Sequence, residues 1–245
     1  MKLSLSILIL FLTLPGLYAQ TIDEADTEQD STESLTFFDN FYIEAGGGSQ
    51  ILFSKDVENL DNKQRLTPSL SLSVGKWFSG TFGAGIKFQG YSLNGFSTTE
   101  GTYTAAPDNG NLFEQDPVRK EVTINPDGTY RHFIRYTNIS LNFYASIVNL
   151  LTGCKEHNIF DIIPSVGIGN MHVFAYKGVP KTNTLSANFG LTGKFHLSPV
   201  VDLNINACTA IFDNKFEGRI AGTREYENYV SASIGIVYYV KSRKF

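Results

Sequence analysis

From Tyr229 onward, apolar and polar residues alternate until the chain stops. Val230, Ala232, Ile234, Ile236, Tyr238 and Val240 share one parity, and Tyr229, Ser231, Ser233, Gly235, Val237 and Tyr239 share the other. A period of two marks a strand with one apolar face and one small or polar face. The pattern recurs upstream. Ile139, Leu141, Phe143, Ala145 and Ile147 stand opposite Asn138, Ser140, Asn142, Tyr144 and Ser146, and Val201, Leu203, Ile205, Ala207 and Ile211 stand opposite Asp202, Asn204, Asn206, Cys208 and Ala210. In all, the alternation predicts eight strands: Phe41–Phe53, Ser69–Phe78, Phe82–Phe96, Phe133–Val148, Phe160–Tyr176, Thr184–Leu197, Val201–Phe212 and Tyr229–Val240.

The connections alternate as regularly as the side chains. Long polar loops follow the odd strands, at 54–68, 97–132, 177–183 and 213–228, and short ones follow the even strands, at 79–81, 149–158 and 198–199. An up-and-down barrel with short periplasmic turns and longer outer loops has this rhythm. An even strand count also places both chain ends on the periplasmic side. If Ser79, Gly80 and Thr81 form a three-residue turn, Phe78 faces Phe82 and both point outward, an aromatic pair at the membrane interface. Lys76 then also points outward, either with its stem along lipid or at a local bulge.

Alternation does not say which face is inside, and a soluble sandwich or lipocalin-like barrel would bury the apolar one. The minority face carries Glu44, Gln50, Lys87, Gln89, Asn142, Asn188, Lys194, Asp202 and Asn204 beside many glycines, which suits a narrow hydrated lumen. Aromatic residues, 13% of the chain, gather at strand ends as an interfacial girdle would. The fold class read from these features is all-β: an eight-stranded antiparallel up-and-down transmembrane β-barrel in the outer membrane.

The N-terminus agrees. Lys2, an apolar run from Leu3 to Leu14, and Leu17-Tyr18-Ala19 before Gln20 read as a secretory signal peptide over residues 1–19, too short to span a membrane as a helix. Residues 20–36 carry Asp23, Glu24, Asp26, Glu28, Asp30 and Glu33 without a basic residue and read as a disordered periplasmic tail, with the barrel from 37 to 245. Within the tail, Asp30-Ser31-Thr32 resembles a short acceptor of periplasmic O-glycosylation. Without Lys2 the chain keeps 19 basic against 24 acidic residues, so nucleic acid is not an expected partner. Cys154, expected in a turn, and Cys208, expected on an inward face, are not read as a disulfide.

Several segments carry a family resemblance. Ser71–Phe78 (SLSVGKWF), Phe82–Gly90 (FGAGIKFQG), Asn142–Gly153 (NFYASIVNLLTG), Phe160–Gly169 (FDIIPSVGIG) and Phe195–Asn206 (FHLSPVVDLNIN) resemble, in order and spacing, successive pieces of the OmpA-type N-terminal barrel of Bacteroidota. The resemblance runs from about Phe37 to the end. It implies an eight-stranded outer-membrane barrel with a structural or surface-interactive role. Longer members continue into a C-terminal peptidoglycan-binding domain, whereas this chain ends a few residues past its last strand, so cell-wall anchoring is not carried over.

Chemistry-bearing motifs are weak. His132, His157, His172 and His196 have no metal-site spacing and read as solvated or interfacial. Gly190-Leu-Thr-Gly-Lys194 lacks the first glycine, the Ser or Thr and the helix of a phosphate loop. Gly46-Gly47-Gly48 and Gly167-x-Gly169 read as close packing in a small barrel. No catalytic residue, cofactor or metal is expected. The enzyme rival is a lipid-modifying hydrolase or acyltransferase, whose serine would need a histidine near the outer leaflet. The sole His-x-Ser, His196-Leu197-Ser198, falls at a periplasmic turn.

Eight strands enclose a space just wide enough for side chains, which disfavours a general porin and leaves only small-solute passage open. Glu44, Lys87, Lys194 and Asp202 are expected to point inward in the periplasmic half and, with neighbouring amides, to plug the lumen. A pairing sum of 396 would set Lys194 opposite Asp202. Expected partners are outer-membrane lipids, the barrel-assembly machinery, and a host or surface ligand on the outer loops. Chief among those loops is 97–132, read either as a binding surface or as a flexible polar loop. Ser233, Gly235, Tyr238 and Val240 resemble the signal read by the assembly machinery; Phe245 has the wrong parity to extend it.

Overall fold

Each of eight strands pairs antiparallel with its neighbours in sequence, and β1 pairs with both β2 and β8, so the sheet closes on itself. The computed structural model describes residues 38–54, 65–97, 103–104, 106, 110, 115–153, 158–219 and 226–243. The expected signal peptide, the acidic tail with Ser31, Cys154, His157 and Phe245 lie outside the described residues. The strands are β1 Phe41–Phe53, β2 Leu66–Trp77, β3 Phe82–Ser97, β4 Tyr130–Ala145, β5 Phe160–Phe174, β6 Thr182–His196, β7 Val201–Asp213 and β8 Tyr226–Tyr239.

Most strand ends differ from expectation by one to three residues, β4 by three at both of its ends. β4 stops at Ala145, because Ser146 Oγ accepts from Asn149 N at 3.1 Å and caps a short helix, α2 (Ile147–Thr152), which takes Ile147 and Val148 out of the strand. β4 also begins at Tyr130, three residues before the expected Phe133, and lengthens the wall at the long-loop end.

The ladders fix the barrel's geometry. From Tyr42 the register steps through Gly75, Gly85, Asn142, Gly167, Asn188, Ala210 and Tyr229 and returns to β1 at Leu52. The stagger is therefore 10 residues (52 minus 42) around eight strands. Such a barrel tilts its strands by roughly 40° and leaves room only for side chains. The glycine runs serve this tightness, as expected: a Cβ on Gly48 would lie 2.0 Å from the Ala232 carbonyl oxygen.

The faces sort as the alternation requires. Leu70, Leu72, Phe88, Ile139, Phe143, Val166, Ile168, Leu185, Leu191, Ile205, Ile234 and Ile236 are exposed on the outer wall, while Gln50, Gln89, Asn142, Lys194, Asp202 and Asn204 are buried inside. A continuous apolar belt of this size is untenable in water and suits lipid. Among the described residues no helix is long and apolar enough to cross a membrane, which says nothing of a barrel.

The β2–β3 turn has the expected geometry, with Phe78 N donating to Phe82 O at 2.9 Å and both rings exposed. Lys76 pairs with Phe41 and Ala84 in an unbroken ladder, so it points outward without a bulge. The β6–β7 register is a correction. Lys194 pairs with Asn204, and His196 with Asp202. Ser198 Oγ accepts from Val200 N and Val201 N at 3.3 and 3.0 Å, and Leu197 N donates to Val201 O, so the pivot is Pro199 rather than Ser198.

Candidate functional site

Inside the barrel three layers stack from the short-turn end to the long-loop end. In the first, Asp202 is fully buried and meets Lys194, His196 and Arg243. Its Oδ1 accepts from His196 Nδ1 at 2.8 Å and from Arg243 Nη1 at 2.6 Å, and its Oδ2 lies 3.8 Å from Lys194 Nζ. Lys194 misses Asp202 in register yet reaches it, because residues diagonal across a ladder stay within reach of a long side chain. Its ammonium donates to Tyr239 Oη at 3.0 Å and lies 4.8 Å from the Trp77 ring centre and 6.0 Å from that of Tyr42. Charges taken out of water are tolerated only when so paired.

Arg243 and His196 are partners of Asp202 that the sequence reading does not contain. Arg243 comes from the tail after β8, which folds back so that Arg243 N donates to Pro199 O and Nη2 to Ser198 O. The basic tail was the available signal. Beside it, Lys241 pairs with buried Asp39 at 3.1 Å.

The second layer is polar, and it separates the four expected lumen charges. Glu44 accepts from Asn206 Nδ2 at 2.9 Å, and Lys87 Nζ lies 3.9 Å from Cys208 Sγ. Both line a cavity of about 40 Å³ with Asn142, Asn188 and Thr192, room for roughly three waters. All four charges do face inward, but as two pairs of neighbours rather than one network. Tyr42, Trp77, Tyr144 and Tyr239 pack between the layers. Cys208 is a free thiol on the inward face, 2.9 Å from Ser231 Oγ. Amides close the layer above: Gln89 donates to Ser231 Oγ at 2.8 Å, and Gln50 accepts from Tyr136 Oη at 2.5 Å.

The third layer is an apolar core under a folded cap. Leu52, Leu93, Ile134, Met171, Val173 and Phe212 from the walls pack with Tyr103, Val118, Val179 and Phe216 from three different loops. Each loop segment has its own local cause. Asp116 accepts from Val118 N and Arg119 N and caps α1 (Pro117–Glu121), with Pro117 at the first position. Asp213 caps a 3₁₀ turn at Asn214–Glu217, which ends on Gly218 at φ 75°, a conformation glycine alone takes freely. Tyr176 and Val179 exchange backbone hydrogen bonds around Gly178.

The three loops then interlock. Tyr103 bridges Arg219, and Thr104 N donates to Gly218 O at 2.7 Å. Thr182 Oγ1 donates to Phe216 O, and Tyr130 Oη donates to Asp116 Oδ2. Within the loop 97–132, the described residues Pro117–Glu121 form α1, which sends Val118 into this core. The loop's apolar anchors, Tyr103 and Val118, give no signal in the sequence because each stands alone among polar residues.

His132 is a further correction, since it is buried rather than solvated, with Nε2 3.1 Å from Glu217. Burial pushes the Glu217 carboxyl up, but the His132 hydrogen bond and the charges of His132 and Arg219 bring it net below its ordinary range. Burial, first, and the Glu217 charge raise the Tyr103 hydroxyl. His172 sits on the outer wall, its Nδ1 2.7 Å from Asn183 Oδ1. Among the described residues no group of three or more His, Cys, Asp or Glu side chains is placed to hold a metal. Ser233 and Gly235 face the lumen, Tyr238 faces out, and Val240 N donates to Phe41 O.

No family model matches the chain. It is 26% identical over 249 aligned residues to outer membrane protein 40 of Porphyromonas gingivalis, covering 94% of this chain and 56% of that one. To outer membrane protein 41 of the same organism it is 29% identical, covering 70% of this chain and 37% of that one. The chain thus spans about half or less of these curated relatives. Among solved structures, neisserial surface protein A matches with a TM-score of 0.47 at 9% identity, over 82% of this chain and 97% of that one. With the closed barrel and its apolar outer wall, the sequence similarity makes this chain an eight-stranded outer-membrane β-barrel protein, homologous to outer membrane proteins 40 and 41.

Proposed function

We propose that this outer-membrane protein is non-enzymatic and conducts no solute, and that its barrel is a rigid mount for a folded extracellular cap with a structural or surface-interactive role. The observation that carries this reading is closure at both ends: the Asp202 cluster at the periplasmic mouth, and the interlocked loops over the apolar core at the other. Folded loops on a rigid scaffold are where recognition surfaces arise. The alternative of a lipid-modifying hydrolase or acyltransferase finds less support. Ser198 Oγ is engaged by two backbone amides of its turn, no hydrogen bond joins it to His196 among the described residues, and the pair lies at the short β6–β7 turn rather than at the long-loop end. A small-solute pore would need both layers to open. In the same proposal, Ser233, Gly235, Tyr238 and Val240 form the segment read by the barrel-assembly machinery.

The test is planar-bilayer recording on the folded protein. The expected trace is flat, with at most brief small openings. A large, steady conductance overturns the reading.

A further inference from the structure

On the outer wall, the extracellular ends of β4, β5 and β6 hold basic side chains that have no carboxylate partner among the described residues. Between Asp127 and Glu156, and again between Asp161 and Asp202, the chain has no Asp or Glu. Within those stretches stand Arg131, Arg135, His172, Lys177 and Lys181. Their placement follows from register. Arg135 pairs with Phe174, His172 with Asn183, and Lys181 lies one step beyond the Val173–Thr182 pair. Parity turns Arg135, Phe174 and Lys181 outward, and all three are exposed.

The row also sits at a definite depth. Below Arg135 on the same face of β4 come Thr137, then Ile139, Leu141 and Phe143. Eight residues of tilted strand separate Arg135 from Phe143, roughly 20 Å along the barrel axis, close to the height of an apolar belt, about 25 Å. Arg135 therefore stands where acyl chains give way to headgroups of the outer leaflet.

The Arg135 guanidinium lies 3.6 Å from the Tyr176 ring centre, and Lys177 Nζ 5.7 Å from it. Stacking fixes the guanidinium plane and leaves its N–H edge open. Among the described residues neither Arg135 nor Lys181 has a carboxylate partner. Three other cations of this protein do have a carboxylate partner: Lys194 and Arg243 meet Asp202, and Lys241 meets Asp39. From Arg135 to Lys181 is two strand spacings, roughly 10 Å, which a disaccharide headgroup can bridge.

We propose that the outward face of β4–β6, centred on Arg135 and Lys181 with His172 and Asn183 beside them, binds the phosphorylated saccharide headgroup of an outer-leaflet glycolipid. Arg135 makes the bidentate phosphate contact, Lys181 answers a second phosphate, and Phe174 lies between them against the upper acyl chain. The belt beneath takes the acyl chains.

The full folded protein in detergent is titrated with bisphosphorylated lipid A and with fully dephosphorylated lipid A, and the bound lipid is read by native mass spectrometry. Wild-type protein is expected to retain the phosphorylated lipid at least about tenfold better. Arg135→Gln with Lys181→Gln loses that preference, whereas Lys120→Gln with Lys215→Gln keeps it. Lys181→Gln alone, outside the strands, gives a partial loss and serves if the double variant does not fold. Equal retention of both lipids by wild type, or an unchanged preference in the double variant, overturns the proposal. Displacement by excess inorganic phosphate alone would mark a free-anion site and overturn the lipid assignment too.

Discussion

At the periplasmic end the lumen is filled by charge. One carboxylate with no exposure, Asp202, is ringed by Lys194, His196 and Arg243, and aromatic rings wall off the lysine. At the extracellular end the lumen is filled by hydrocarbon, and loops distant in sequence lend the side chains that finish it. Both arrangements fill the lumen with side chains, yet they fail differently. The strand-borne members of the charge cluster, Lys194, His196 and Asp202, are fixed by the barrel's own ladder, and only Arg243 reaches them from outside it. A core completed by loops can lose its lid while the ladder stands, because local openings cost less than global unfolding.

Removing the carboxylate should therefore have the largest effect. In Asp202→Asn, Lys194 and Arg243 face a neutral amide while still buried, and leaving such charges uncompensated costs about 3–5 kcal/mol. The chain's one tryptophan, Trp77, packs against Lys194 and reports on this layer. Its fluorescence transition in urea should move to clearly lower concentration. A loss of stability under about 1 kcal/mol would mean that the cluster is solvated and that the contrast between the ends is false.

The cap should respond in the opposite sense. Phe216 is fully buried and stacks edge-on against Phe212 at 4.5 Å. Truncating a buried phenylalanine costs about 3–5 kcal/mol locally, enough to speed hydrogen exchange in 115–130 and 213–219 by about two orders of magnitude. In Phe216→Ala the urea transition read by Trp77 should hardly move. If it falls as far as in Asp202→Asn, cap and barrel are one cooperative unit.

How far the sequence can be read differs between the same two ends. Strand positions and facing need only local parity, so Gln50, Lys194 and Asp202 fall inside where alternation sets them. The partner of Lys194 lies two residues from the expected one, since it depends on whether Ser198 or Pro199 is the pivot, and a hydroxyl's backbone bonds decide that. The cap is illegible for another reason. Tyr103, Val118, Val179 and Phe216 each look like a stray apolar residue in a polar loop, and only closure of the barrel brings them together. His132 shares that fate, because its partner Glu217 lies beyond β5, β6 and β7 in the chain.

Acid offers the mildest way to separate the ends. Glu217 faces His132 from β4 and Arg219 and Tyr103 from the loops. Its carboxyl is held net below the ordinary value of 4.5. A group with a depressed folded value contributes stability that is present above the unfolded value and lost as pH falls through the folded one. Exchange protection in 213–219 should therefore be steady above pH 4.5 and weaken below it, by less than in Phe216→Ala. In Glu217→Gln that acid-dependent step should disappear and the protection above pH 4.5 should already be reduced. An unchanged step in the variant would mean that Glu217 is not the group responsible and would move the weak point of the cap away from the 3₁₀ turn.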